Sequence, residues 1–446
     1  MRPSRWCPDP VMQRRSVLVI AGSTVVVALA AIAITVVARG GDDPAAAPQS
    51  TTATTAPPPT RPSSTAPPST SRPTTTSPSS SSSQVTDPLT TALPMPMTAS
   101  FADVSLRAEQ ALVIPNLTGM VWNDQEDAYF AITQDGTVHR IARDLSSSEV
   151  VLDLTAEVTG LLPGSERGLL GIAFDPRDGR MFLYFTDRGN DTNIVSYKMT
   201  DGRPDPSRRR LVLFQEQPGL GHKAGDMAFT PEGHLFVSLG DGGGSSGRDA
   251  QDYGKLLGSI IRITPRLYGE GYDVPEDNPF VGQPDIAPEL WAKGLRNAWQ
   301  ISLDPITGDL YLGDVGENDI EELNFIPSGT SGQNFGWYWY EGTVKRSTGD
   351  RPPADRVFTP PVFEYPHTVG PAIIAGLVYR GTAIPALRGA YVFADMTGPF
   401  FALGGNGTVR LGLRLSGGVN TSFVETPDGE ILITTLRKGI FRILPG

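Results

Sequence analysis

One local pattern recurs through most of the chain: a Gly-containing turn, then alternating apolar residues, often closed by Asp. It reads "QDGTVHRIA" from Gln134, "DPRDGRMFLYFTD" from Asp175 and "TPEGHLFVSLGD" from Thr230. It reads again as "DPITGDLYLGD" from Asp304, "ALRGAYVFAD" from Ala386 and "TPDGEILITT" from Thr426. Each copy specifies a turn feeding a half-buried strand, because a period of two sends alternate side chains to one face. A unit this small cannot bury its apolar face alone and must stack on its neighbours. Six copies over roughly 350 residues imply an all-β fold, a six-bladed β-propeller with blades of about 55–60 residues. Uneven spacing of the copies implies long loops on some blades. A row of β-sandwiches is the competing architecture. Ring closure removes open strand edges without covalent help. The chain needs that, since its single cysteine, Cys7, allows neither an internal disulfide nor a zinc site of Cys/His spacing.

The first hundred residues obey different rules. Ser16 to Val37 reads "SVLVIAGSTVVVALAAIAITVV", uncharged and long enough to span a bilayer, which takes about 20 residues. Arg14 and Arg15 precede it, with Arg2 and Arg5 further out, so the N-terminus is expected in the cytoplasm and the remainder outside. The expected organisation is a cytoplasmic N-terminus at 1–15, a transmembrane anchor or signal at 16–38, a disordered Pro/Ser/Thr-rich linker at 39–97 and the propeller at 98–446. An uncleaved anchor is favoured over a signal, because the run exceeds the roughly 7–15 apolar residues of a signal peptide. The twin arginine of "QRRSVLV" also suits export of a folded protein. The linker lacks the apolar residues that would offset ordering entropy and reads as an extended stalk. The expected location is the cell membrane, single-pass, with an extracytoplasmic domain that is secreted if the segment is cleaved.

Formal net charge is -11, and residues 1–100 contribute seven Arg against four Asp, or +3. The remainder therefore carries about -14. A body this acidic excludes nucleic acid as a partner, since phosphate contacts need clustered Lys and Arg. It is compatible with divalent cations.

Chemistry is expected in the long polar loops around the third and fourth copies, since rigid scaffolds carry function on loops. His222, in "GHKAGDMAFTPEGHLFVSLGDGG", is a candidate base able to take a hydroxyl proton at neutral pH. The alternative is a plain turn histidine. His139, His234 and His367 have no stronger local case. Arg296-Asn297 pairs a fixed positive charge with an amide, suited to a carboxylate or a developing oxyanion. The alternative is an arginine serving a strand-end carbonyl. The loop from Asp314 to Asn324 carries Asp314, Glu317, Asp319, Glu321 and Glu322, an oxygen-rich set suited to calcium or simply a solvated acidic turn. "GDGGG" at Gly240 is no phosphate loop, because it lacks both the Lys-Ser/Thr ending and a helix start.

Several motifs in order, "SERGLLGIAFDP", "GHKAGDMAFTPEGHLFVSLGDGG", "LLGSIIRI", "DNPF", "WAKGLRNAWQISLDP", "GDVGENDIEELNFI" and "VYRG", make the span from Leu112 to Pro445 resemble the glucose/sorbosone dehydrogenase family. That family holds soluble pyrroloquinoline quinone (PQQ) sugar dehydrogenases. "GHKAGDMAF" and "YRGTAIPALRGAYVFAD" are closer to its hedgehog-interacting-protein-like branch. The resemblance implies a six-bladed propeller that oxidises a sugar C1 hydroxyl, with PQQ and Ca2+ as cofactors. It matches His222 to the base acting on the sugar's anomeric hydroxyl and Arg296 to the arginine near the reactive quinone carbonyl. It matches Asn297 to a cofactor contact, Gly316 and Glu317 to the two carbonyl ligands of the cofactor's calcium, and Glu322 to a carboxylate of an adjacent calcium region. Where the family often has proline, this chain has Glu317.

Two departures bear on the cofactor. The Arg-x-Arg that holds quinone carboxylates before the last strand motif is replaced by Asn420, Thr421 and Ser422, and no lysine is evident in "PAIIAGLVYRG". Arg380, Arg414 and Arg437 are the basic residues left as substitutes. The leading expectation is a membrane-anchored sugar dehydrogenase passing electrons to a soluble or membrane acceptor. A non-catalytic propeller that binds a glycan or a protein is the alternative. A calcium-dependent sugar lactonase is a further one, though it needs several carboxylates around one cation.

Overall fold

Strands begin wherever the apolar runs do. The second strand of a blade is the most apolar, as in Met181–Thr186 (MFLYFT), where every residue is buried. The fourth is the least, as in Gly407–Leu411, mostly exposed. This gradient is expected of stacked sheets, whose inner strands are covered on both faces. The computed structural model describes residues 104–159 and 164–446. The expected tail, membrane segment and linker lie outside the described residues. Among the described residues, no helix is long and apolar enough to cross a membrane.

Six antiparallel sheets form the blades; strands follow one another in chain order except for excursions in the third and fourth blades and the closure of the sixth. The first strands of the blades are Leu117–Asn123, Leu169–Phe174, Ala224–Phe229, Ala298–Leu303, Ile373–Val378 and Asn420–Glu425. Each packs on the first strand of the next blade, and that of the sixth packs on that of the first. The ring is closed by exchange of chain ends. Leu106–Leu112 pairs antiparallel with Gly439–Pro445 and supplies the outer strand of the sixth blade.

The cores lie between blades. Phe130 and Val138 of the first blade pack with Ile172 and Leu183 of the second. Val424 and Leu432 of the sixth pack with Met120 and Ala131 of the first. Between the fourth and fifth, Tyr311 stacks on Tyr391 at 4.0 Å between ring centroids. Each fully buried side chain of this size stabilises by roughly 1.5–3 kcal/mol, so a blade is stable only between two others.

In all six blades the register slips between the first and second strands, from Leu117/Gly119 in the first to Asn420/Ser422 in the sixth. Such bulges add twist and re-aim side chains at the rim. Gly376 shows how tight they are, since a Cβ there would lie 1.6 Å from the Val392 carbonyl oxygen.

Five of the six sequence copies are the first-to-second-strand turns of blades two to six. The copy from Gln134 is not. It is the second-to-third-strand turn of the first blade, joining Ala128–Thr133 to Thr137–Ala142. The first hairpin of that blade turns through "DQED", with Asp127 rather than glycine at positive φ (44°). Asp tolerates the left-handed region through its short polar side chain, so the hairpin lacks the glycine signal.

Asp226 ties the third blade to the fourth. Its Oδ2 accepts the Ile301 N–H at 2.9 Å and its Oδ1 accepts its neighbour Met227 N–H at 2.9 Å. Burial pushes its carboxyl from the ordinary 3.8 up to about 7, against the opposing pull of those two amides. The folded state thus holds this proton more tightly than the unfolded chain. Its contribution favours folding at pH 4 and is lost as pH rises to about 7. Asp226→Asn should therefore gain stability relative to wild type progressively between pH 4 and 7, and hold a constant advantage above. Urea midpoints at pH 5, 6, 7 and 8 measure this, and a pH-independent difference would contradict it.

Candidate active site

Antiparallel blades bring two kinds of turn to one end of the ring: second-to-third-strand turns and blade-to-blade connections. His222 lies on the connection into blade three and Arg296-Asn297 on that into blade four. Asp241 lies just past the second strand of blade three, Leu235–Leu239, and Asp314–Ile320 forms the equivalent turn of blade four. Sequence positions a hundred residues apart therefore share one end.

His222 sits on strained backbone, with φ of 52°, followed by Ala224 at 49° and Gly225 at 118°. A non-glycine residue in this region costs about 1–3 kcal/mol and persists only where its surroundings hold it. Here they do. The His222 N–H donates to Glu166 Oε2. The Gly242 N–H donates to the His222 carbonyl at 3.3 Å. The Ala224 N–H donates to Asn297 Oδ1 at 2.9 Å.

The imidazole Nδ1–H donates to Asp241 Oδ1 at 2.6 Å. Asp241 is 1% exposed. Its Oδ2 accepts the indole N–H of Trp337 at 2.7 Å, and its Oδ1 also accepts the Gly243 N–H at 2.8 Å. Burial acts to raise its pKa. The charge and hydrogen bond of His222, the Arg296 charge and the Gly243 amide together outweigh that and hold it below the usual carboxylate range. An ionised acceptor assigns the proton to Nδ1 of neutral His222, leaving Nε2 with a lone pair. Nε2 makes no hydrogen bond to a described residue.

Arg296 stands beside this pair. Its carbonyl accepts the Asp241 N–H at 2.9 Å. Its Nη1 donates to the Val315 carbonyl at 2.9 Å, and its Nε is buried without a partner. One nitrogen of Arg296 thus serves a carbonyl just past a strand end, and another is unsatisfied. The guanidinium lies 5.5 Å from the Trp337 ring centroid, and Arg346 lies 4.1 Å from the same ring. Asp314 accepts the backbone N–H of Arg296 at 2.9 Å and of Asn297 at 2.6 Å, which sets both residues.

Gly316 and Glu317 follow Val315 in the same loop. Their carbonyls accept no hydrogen bond from a described residue. The Glu317 side chain pairs with Arg346. Glu322 is separated from this open set. It is buried opposite Asp314 across a strand pair, and its carboxylate accepts the Gly342 N–H and the Asn324 amide. Burial first, and then the Asp314 charge, push the Glu322 carboxyl up. Burial likewise pushes Asp314 to about 6. Among the described residues, no group of three or more His, Cys, Asp or Glu side chains could hold a metal ion.

The other histidines are accounted for. His139 Nε2 meets Thr137 Oγ1 at 3.1 Å, and His234 meets Thr264 at the opposite end of the ring. His367 pairs with buried Glu321 at 2.6 Å. Arg380 also lies at the opposite end, paired with Asp304. Arg414 and Arg437 lie at the site's end, on a connection and a second-to-third-strand turn.

A polar cleft of about 520 Å³ opens over the turn that follows Asp314, lined in part by Arg248, Glu317, Asn318, Tyr338, Glu341 and Arg346. It is walled by the long excursion after the third strand of blade four. That segment climbs along Leu290–Lys293, where Phe335 N–H donates to the Lys293 carbonyl and Trp337 N–H to that of Gly294. The site residues that sequence reasoning missed, Asp241, Trp337, Glu166 and Glu341, include two from this route. Asp241 carried a signal, as the Asp closing a repeat copy. The aromatic run "GWYWYEG" is the other visible sign.

The structure thus has a propeller with a buried carboxylate holding a histidine at one end, beside an arginine and free carbonyls. The glucose/sorbosone dehydrogenase family matches residues 117–404. The chain belongs to that family. It is 29% identical over 325 residues to the HIPL1 protein of Arabidopsis thaliana, covering 57% of this chain and 46% of that one. It is 31% identical over 180 residues to the aldose sugar dehydrogenase YliI of Escherichia coli, covering 38% of this chain and 46% of that one. The chain thus spans less than half the length of these relatives. The apo crystal structure of soluble aldose sugar dehydrogenase from Escherichia coli superposes with a TM-score of 0.62 at 19% identity, over 77% of this chain and 100% of that one. At that identity the likeness is one of fold.

Trp337 can be tested apart from any activity. Trp337→Phe keeps the ring but removes the N–H to Asp241, and should cost roughly 1.5–3 kcal/mol in urea unfolding. Trp337→Ala also removes the surface on which two guanidiniums lie, and should cost about 3–5 kcal/mol.

Proposed function

We propose that the domain is an extracytoplasmic, membrane-anchored sugar dehydrogenase that oxidises the C1 hydroxyl of an aldose, with PQQ and calcium as cofactors. The observation that carries the reading is the His222–Asp241 pair: Nδ1–H committed to a buried ionised carboxylate, Nε2 unbonded, and Arg296 adjacent. That is the arrangement a general base for a hydroxyl proton requires.

The residues fit the cofactor's reactive end. Two carbonyls without donors, on Gly316 and Glu317, suit a hard cation. The buried Nε of Arg296 lacks an acceptor, which a quinone oxygen would supply. When bound, the quinone accepts the hydride from the sugar carbon. The chain's own residues do the remainder. His222 Nε2 takes the hydroxyl proton, and Asp241 stabilises the imidazolium that results. Arg296 supplies positive charge where oxygen gains electrons. Asn297 keeps the His222 connection in place through the Ala224 N–H. The polar cleft lined by Glu317, Tyr338 and Arg346 suits a polyhydroxylated substrate: its arginines are engaged by carboxylates, Arg346 by Glu317 and Arg248 by Asp350.

The far end supports a second reading, a propeller that binds a glycan or protein without the cofactor. At the start of blade six the Asn420 amide donates to the Asp395 carbonyl at 2.9 Å, and the Thr421 and Thr434 hydroxyls bond to each other at 2.8 Å. These are neutral groups where three carboxylates would want cations. PQQ is therefore expected to bind through its calcium end, and strictly with calcium.

The test is dye reduction by the purified chain with calcium, PQQ and a panel of aldoses, alongside quinone binding followed by absorbance. Wild type should turn over only with both cofactors. His222→Ala should lose about 10²–10⁴ in kcat, with quinone binding unchanged. Quinone uptake without reduction, or no uptake at all, would favour the binding propeller and sink the dehydrogenase.

A further inference from the structure

The turn after Asp314 is built around one oxygen. Glu341 Oε1 accepts the N–H groups of Glu317 at 2.8 Å, Asn318 at 2.9 Å, Asp319 at 2.8 Å and Ile320 at 3.1 Å. Glu341 is 2% exposed. It comes from the excursion of blade four, more than twenty residues further along the chain. Four successive amides on one acceptor leave the turn little freedom.

Peptide geometry gives this a consequence. In a trans peptide the C=O points opposite to the N–H of the same unit. The Glu317 N–H shares its peptide with the Gly316 carbonyl, and the Asn318 N–H with the Glu317 carbonyl. Since both N–H groups point at Glu341, both carbonyls point away from it, to the same side. The same holds for the next two peptides; of the four carbonyls, that of Asp319 accepts the His367 N–H at 3.0 Å, while those of Gly316, Glu317 and Asn318 accept no hydrogen bond from a described residue. The preceding one, of Val315, is already taken by Arg296. Gly316 is required for this turn, because a Cβ would lie 1.8 Å from the Ile320 carbonyl oxygen and 2.8 Å from Glu341 Oε1.

We infer that Glu341 is the positioning residue of a calcium site formed by the carbonyl oxygens of Gly316 and Glu317. It gathers the amides on one side so that the oxygens are presented on the other. Its Oε1 is not itself a ligand, since that oxygen is filled by four donors. This inference rests on the reading above that calcium binds at Gly316 and Glu317.

The full-length chain is stripped with chelator and titrated with calcium, with and without PQQ, by calorimetry. Hydrogen exchange of the 316–320 peptide is followed in parallel by mass spectrometry. Wild type should bind calcium and exchange slowly at these amides even in chelator. Glu341→Ala should lose about 10–100-fold in calcium affinity, as for groups that orient metal ligands, and should exchange fast at 317–320. Glu341→Gln keeps an acceptor oxygen and should restore slow exchange and most of the affinity. It also serves if the alanine variant does not fold. Equal calcium affinity in wild type and the alanine variant, or slow exchange in both, overturns the role of Glu341. If the glutamine variant folds but binds calcium no better than the alanine variant, positioning is likewise overturned. Absence of calcium binding in wild type overturns the site itself, and that result is visible before any variant is compared.

Discussion

The pairing of Leu106–Leu112 with Gly439–Pro445 is the contact on which the rest of the propeller depends. Every blade buries its apolar faces against its neighbours, so an open ring would expose two faces at once. Val424 and Leu432 would lose Met120 and Ala131, and the sixth blade would lose its outer strand. No covalent bond shares this duty, because the single cysteine lies at position 7, ahead of the propeller. Closure by antiparallel backbone hydrogen bonds also joins the two ends of the described chain. The central connections, where the candidate chemistry lies, are thereby held between complete blades.

A second recurring device prepares the site. Asp at the end of a second strand turns back on the start of its own blade. Asp314 accepts the Arg296 and Asn297 amides, and Asp395 accepts the Ala372 amide at 3.0 Å. In blade three the same position, Asp241, accepts an imidazole N–H instead. A structural carboxylate is thereby turned onto a histidine side chain. The change needs a histidine in the left-handed region before the first strand and an indole to satisfy the second carboxylate oxygen. Neither substitution alters the blade.

Much of this was legible in the chain. The turn-and-strand copies announced the propeller and five of its hairpins. The first hairpin was invisible because Asp127, not glycine, adopts its positive φ. His222, Arg296 and Asn297 were singled out from residue type and motif order, and the structure brings them together at one end. Gly316 and Glu317 join the same end through the Val315 carbonyl. Glu322 does not reach the open site, since the alternation of its strand turns its carboxylate inward against Asp314. Trp337 and Glu341 could not be read. Their partners lie across the path of a long excursion whose route depends on backbone bonds to Lys293 and Gly294.

By itself the sequence determined the number of blades, the acidic character of the chain, and the residue types available at the candidate site. These are local properties: a period of two, a turn glycine and a count of charges suffice for them. Only the tertiary structure decided what each of those residues does. Whether His222 is a base depends on a carboxylate 19 residues away and an indole a further 96 on. Whether two carbonyls are free depends on where Glu341 draws the amides behind them. Hydrogen bonds between distant segments are made only when the ring closes, and no spacing along the chain encodes their direction.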